Sequence, residues 1–225
     1  MKIFRINIGL TNTEGIKCLT LLISSIKRYY PEFKIALCVN GNQSFYSPKV
    51  DFVIKQTGLE LPIVPPAGFS VHWKLYPPRI FDNSHEITVD NDIIFLKRSP
   101  KIDEFLNSES LFLAYEGLYG LYGSYQVNCK FNINSGIFGL PPICNFTEKV
   151  LINLKDKWDN YFDEQGLIAK IISQEDSVLI TQQEIPIMEK DSDYIPDKDG
   201  VHFVGLNRCP EHKAWDYFKQ SIIKI

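Results

Sequence analysis

The stretch His85-Glu86-Ile87-Thr88-Val89-Asp90-Asn91-Asp92-Ile93-Ile94-Phe95 places the tightest limit on what this chain can become. Thr88, Val89, Ile93, Ile94 and Phe95 are strand-favouring types, and two carboxylates stand between them. A desolvated carboxylate is costly unless it is paired or bound to a cation. The acids therefore either end a strand in solvent or face a positive charge. On a regular strand Asp90 and Asp92 would share a face, because side chains alternate. Paired oxygen ligands of this kind suit Mn²⁺ or Mg²⁺. A solvated turn would carry the same letters. His202 follows Val201 at the end of another apolar run. It is either a third ligand or an ordinary hydrogen-bonded histidine.

Around this stretch the hydrophobic pattern alternates between strand and helix periods. Ile3 to Ile8 reads as a strand, Gly9 to Thr13 as a turn with Thr13 as helix N-cap, and Ile16, Leu19, Ile23 and Ile26 as one helix face. Lys34 to Val39 and Val50 to Ile54 read as the next strands. This order predicts an α/β sandwich with a mixed, mainly parallel sheet. Such sheets bind ligands at the carboxyl ends of their strands, so the turns at Gly9 to Thr11 and at Asn40 are candidate ligand loops as well as simple turns. Further on, the pattern predicts a short helix from Val71, a helix from Asn145 to Tyr161, another from Glu164 to Ser173 and a helical tail through Trp215 and Phe218. Gly117 to Asn128, rich in Gly and Tyr, reads as a mobile surface loop.

Composition narrows the function. At 225 residues, with no repeat or low-complexity linker, the chain is expected to form one domain spanning 1–225. A net charge of −3 provides no basic field for nucleic acid or an anionic membrane. The five cysteines lack C-x-x-C spacing, which disfavours a zinc site or a disulfide framework. No leader-like or membrane-spanning run occurs, so a cytoplasmic location, or one peripheral to a membrane, is expected. The Gly-rich fingerprints of dinucleotide and P-loop sites are absent.

Taken together, the motifs resemble a family. Asp90-Asn91-Asp92 looks like the D-x-D of nucleotide-sugar-dependent glycosyltransferases of the GT-A fold. Phe131-Asn132-Ile133-Asn134-Ser135-Gly136-Ile137-Phe138 resembles their Phe-Asn-x-Gly segment. His202-Phe203-Val204-Gly205, with Arg208, Lys213 and Trp215 beyond, is similar to the His-x-x-Gly-x-x-Lys-Pro-Trp tail of glycosyltransferase family 8. The order of the motifs matches along most of the chain.

The resemblance implies a GT-A fold and a transferase, retaining as in family 8, that moves a sugar from a UDP-sugar or similar donor to a carbohydrate or other hydroxyl acceptor. It implies Mn²⁺ (or Mg²⁺) held by Asp90, Asp92 and His202. Gly9, Leu10, Thr11 and Asn40 would border the nucleoside. Lys74, Asn91, Asn134, Ser135 and Gly205 would contact the donor. Either Arg208 or Lys213 would meet the diphosphate, since Cys209-Pro210-Glu211-His212 interrupts the tail motif. Gln174-Glu175-Asp176 resembles the family's acidic, helix-opening segment, which would give Glu175 and Asp176 the catalytic place; they also read as acids that complement a helix dipole. A glycoside hydrolase fits less well, because two acids on one strand do not straddle a bond. A non-catalytic nucleotide-sugar or glycan-binding domain of the same fold is the other alternative.

Overall fold

The computed structural model describes residues 1–8, 13–40, 49–56, 72–155, 158, 160–206 and 211–222. The expected ligand loop at Gly9, Leu10 and Thr11, and Arg208, lie outside them.

The chain begins with β1 (Lys2–Ile8), α1 (Thr13–Tyr29), β2 (Lys34–Asn40) and β3 (Phe52–Gln56), then a single 3₁₀ turn at His72–Leu75. β4 (His85–Asp90), β5 (Ile93–Phe95), α2 (Pro100–Leu106), β6 (Phe112–Tyr115) and β7 (Ile137–Leu140) follow. The remainder is α3 (Phe146–Asn153), α4 (Asp163–Ile172), β8 (Ser177–Ile180), β9 (Ile187–Met188), β10 (Gly200–Phe203) and α5 (Lys213–Ile222).

The main sheet has the order β3-β2-β1-β4-β7-β6-β8. Only β7 runs against the rest: it pairs antiparallel with β4 and β6, and the other pairings are parallel. Alternating side chains give the sheet two apolar faces. Phe4, Ile6 and Ile8 of β1 pack with Leu19, Leu22, Ile23 and Ile26 of α1, with Ile102 and Phe105 of α2, and with β5. Each such buried side chain contributes about 1.5–3 kcal/mol. Phe112, Ala114, Phe138 and Leu140 face the other way, onto α3 and α4. The expected α/β/α sandwich is therefore present. A second, small sheet has the order β5-β10-β9 and carries α5 on a third cluster that includes Val201, Phe203 and Trp215.

Three expectations change. The helix expected over 145–161 ends at Asn153, and Leu154 is already extended. The loop 117–128 is bound down rather than loose: Tyr125 is buried, and the Ser124 amide donates to Asp163 Oδ1 at 2.6 Å. Asp90 and Asp92 do not share one regular strand, since β4 stops at Asp90 and the chain turns before β5 joins the second sheet. Among the described residues no helix is long and apolar enough to cross a membrane.

Glu14, in the first turn of α1, ties the two ends of the chain together. It accepts from Lys17 Nζ at 2.7 Å, from Trp215 Nε1 at 2.5 Å and from Lys219 Nζ at 3.2 Å. The Lys17 ammonium first, then the Trp215 indole, hold its carboxyl at about 2, below the ordinary 4.5. A depressed carboxyl stabilises the fold fully above its unfolded pKa, and that contribution disappears as pH falls toward the folded value. Glu14→Gln should therefore reduce unfolding free energy in urea at neutral pH by about 1 kcal/mol, with the gap to wild type shrinking between about pH 4.5 and about pH 2. A gap that stays constant with pH would exclude this role for the carboxylate.

Candidate active site

Strand direction decides where the functional groups gather. β1, β2 and β4 are parallel and end at the same edge of the sheet, so Asn7, Asn40 and Asp90 lie along one rim. Beyond Asp90 the chain turns through Asn91 and Asp92 into β5, which pairs antiparallel with β10 and sets His202 opposite Ile93. The Phe203 amide donates to the Asp92 carbonyl at 2.8 Å and fixes that register. One ligand atom each from Asp90, Asp92 and His202 then falls within 4.8 Å of the others. His202 Nε2 is 3.3 Å from Asp92 Oδ1. Tyr115 packs against the imidazole, with ring centroids 5.9 Å apart.

The donor set suits a hard divalent cation, two carboxylates with one imidazole. Asp92 is 8% exposed and His202 2%. Among the described residues neither Asp92 Oδ1 nor His202 Nδ1 has a hydrogen-bond partner. Buried polar atoms without such partners are uncommon and expensive, and a bound cation would answer the carboxylate oxygen. Burial pushes the Asp90 carboxyl up; the Lys74 ammonium opposes this and the Asp92 charge adds to it. Lys74 Nζ donates to both Asp90 oxygens, at 2.8 and 3.0 Å. Burial alone would lower the Lys74 ammonium, but the Asp90 and Glu164 carboxylates outweigh it and hold the group above the ordinary lysine range.

The segment before β7 closes another side. The Asp90 amide donates to the Gly136 carbonyl at 2.9 Å, and Asn134 Oδ1 accepts from the Gly136 amide at 2.7 Å. Asn134 thus stabilises its turn and also stands beside the cluster. Ser135 Oγ donates to Glu164 Oε2 at 3.1 Å, and its amide donates to Gln165 Oε1 at 3.3 Å. Glu164 and Gln165 belong to the first turn of α4, where Asp163 Oδ2 accepts the Asn160 amide at 2.8 Å. Burial raises the Glu164 carboxyl to about 7, with Lys74 opposing and Asp90 adding to the shift. At neutral pH this carboxyl is poised between its two protonation states.

The acidic segment that opens a helix beside the site is therefore Asp163-Glu164-Gln165, which sequence reasoning passed over. Glu175 and Asp176 are not brought to this cluster. The Asp176 carbonyl accepts the Phe112 amide at 2.9 Å, at the starts of β6 and β8, and Glu175 pairs with Lys149 of α3. β6 and β8 run the same way as β4, so these acids sit at the opposite edge of the sheet from Asp90, roughly 16 Å away along the strand direction. The available signal was the position of Asp163-Glu164-Gln165 directly before the apolar helical run Leu167, Ile168, Ile171 and Ile172.

The remaining expected donor contacts divide. Gly205 follows β10 with φ of +79°, a left-handed conformation that favours glycine. Asn40 closes β2 at the rim. Lys213, at the start of α5, pairs with exposed Asp193 at 2.6 Å, and that contact holds it at the surface.

Comparisons with known proteins support the fold. The chain aligns with the WbbM bifunctional glycosyltransferase at TM-score 0.63 and 13% identity, over 97% of this chain and 49% of that one. It therefore spans about half of WbbM. It aligns with the galactosyltransferase LgtC, solved with donor and acceptor sugar analogs, at TM-score 0.58 and 11% identity, over 100% of this chain and 96% of that one. An active-site mutant of LgtC, Q189E, gives 0.61 and 10% over the same shares. No protein-family model and no curated protein sequence matches. The likeness is one of fold, the GT-A type.

Gly136 gives a test of the cluster. A Cβ there would lie 2.6 Å from His202 Cε1. Gly136→Ala should displace the imidazole and, if the three residues hold a divalent cation such as Mn²⁺, weaken its binding at least about tenfold, roughly 1.4 kcal/mol, while thermal unfolding stays cooperative. Unchanged Mn²⁺ affinity by calorimetry would remove His202 from the ligand set.

Proposed function

We propose that this chain is a metal-dependent glycosyltransferase of a single GT-A domain. It would take a nucleoside diphosphate sugar, a UDP-sugar first among candidates, and pass the sugar to a glycan or other hydroxyl acceptor with retention. The observation that carries this reading is the convergence of Asp90, Asp92 and His202 at the carboxyl rim of a GT-A sheet. Ligands of open α/β sheets bind at that rim.

Asp90, Asp92 and His202 would hold the cation, Mn²⁺ or Mg²⁺, which when bound supplies positive charge against the departing diphosphate. The chain's own groups supply the rest. Lys74 brings a second cation to the same place, where a fixed positive charge favours the developing negative charge. Asn91, Asn134, Ser135 and Gly205 would line the donor, and either Arg208 or Lys213 would meet the diphosphate. Glu164, held by Ser135 and poised near neutrality, takes the role assigned from sequence to Glu175 and Asp176: it accepts a hydrogen bond from the transferred sugar. The loop 117–128 is joined to the same helix turn, Gln165 Nε2 donating to the Leu121 carbonyl at 2.7 Å. It forms one wall that keeps water from the reacting sugar.

Mn²⁺-dependent release of UDP from UDP-sugars tests this directly. Asp92→Ala should abolish the activity, and Glu164→Gln should lower turnover about 100-fold or more with donor affinity changed by less than about threefold, the signature of a group that acts on the reacting sugar. Full activity of Asp92→Ala would refute the metal assignment. Saturable donor binding by the wild type with no turnover would favour the non-catalytic binding domain.

A further inference from the structure

Arg5 lies in the middle of β1, flanked by β2 and β4, and is 1% exposed. A guanidinium in such a place is costly unless its donors are satisfied. They are satisfied largely by one stretch of chain. Nη2 donates to the Lys74 carbonyl at 2.7 Å and Nη1 to the Pro77 carbonyl at 2.6 Å. Nε donates to Asn7 Oδ1 at 3.2 Å, and Glu86 Oε1 lies 3.5 Å from Nη1. The other Glu86 oxygen accepts the Ile80 amide at 2.8 Å. A buried pair on adjacent strands thus grips residues 74, 77 and 80, a segment whose regular structure is a single 3₁₀ turn.

This segment carries Lys74. Its backbone is held to β1 by Arg5, while its ammonium reaches Asp90 at the end of β4, the neighbouring strand. Buried ion pairs are weak stabilisers compared with apolar packing of similar volume. What Arg5 does here that an apolar side chain would not is fix two carbonyls with one planar fork. We infer that Arg5 is a positioning residue for the candidate active site: its guanidinium fixes the Lys74 backbone so that the ammonium stays on Asp90, and it thereby sets how strongly Asp90 attracts a divalent cation. This inference rests on the metal reading given above.

The test is a double-mutant cycle read by Mn²⁺ titration calorimetry without donor. Arg5→Lys keeps a positive charge beside Glu86 but loses the fork. Lys74→Met removes the cation that competes for Asp90, and Mn²⁺ should bind about tenfold tighter. Arg5→Lys alone should tighten Mn²⁺ binding about threefold, because a loosened Lys74 occupies Asp90 less. Added to Lys74→Met, Arg5→Lys should change affinity by less than about 1.5-fold, since a residue acting only through Lys74 has nothing left to act on. Equal effects of Arg5→Lys in both backgrounds, or no effect in the wild-type background, would overturn the inference. Should Arg5→Lys fail to fold, Glu86→Gln loosens the same segment at Ile80 and is read in the same cycle with the same outcomes. Tightening by Lys74→Met without any effect of Arg5→Lys defeats this inference alone. No saturable Mn²⁺ binding in wild type or Lys74→Met defeats the metal reading and this inference with it.

Discussion

Two carboxylates brought to one buried corner need positive charge, and the architecture around them is arranged to meet that need. Asp90 ends the central strand β4, and Asp92 opens the path into the second sheet. Burial penalises the charge of Asp90, and the neighbouring Asp92 carboxylate adds to that penalty. Lys74 answers one acid from the side, while His202 stands against the other. Neither neighbour satisfies all of the oxygen atoms, since Asp92 Oδ1 keeps no hydrogen bond among the described residues. A divalent cation would complete the balance.

The supports of this corner come from distant parts of the chain. β10 supplies His202 by pairing with β5 at a fixed register. The turn before β7 leaves space for the imidazole by placing Gly136 against it. The opening of α4 supplies Glu164, tied back through Ser135. Arg5 and Glu86 secure the segment that carries Lys74. The last two supports are buried polar chemistry, which adds little net stability and specifies geometry instead.

Much of this was legible in the sequence because it is local. Strands β1, β2 and β4 and helix α1 follow from hydrophobic period, and the D-N-D stretch stood out as acids among β-formers. The site was legible only where a motif announced it. Gln174-Glu175-Asp176 and Asp163-Glu164-Gln165 are alike as acidic tripeptides; they differ in which edge of the sheet they reach, and strand direction decides that. Topology of this kind is not encoded in any short window. Arg5 posed the same difficulty: within Ile3-Phe4-Arg5-Ile6-Asn7-Ile8 it reads as the polar half of an alternation. Apart from Asn7, its partners lie some seventy to eighty residues away, at Lys74, Pro77 and Glu86. The loop 117–128 looked mobile from its Gly and Tyr content, yet Asp163 and Gln165 bind it to α4.

On the proposed function, Asp90, Asp92 and His202 hold one cation beneath a nucleoside diphosphate. Crystals grown with Mn²⁺ and UDP, measured at the manganese absorption edge, test it most directly. The expected result is a single anomalous peak at bonding distance from a carboxylate oxygen of Asp90, one of Asp92 and a ring nitrogen of His202, with the diphosphate beside it. A diphosphate bound at the carboxyl rim with no anomalous peak among these three residues, or a manganese peak bound elsewhere, would contradict it.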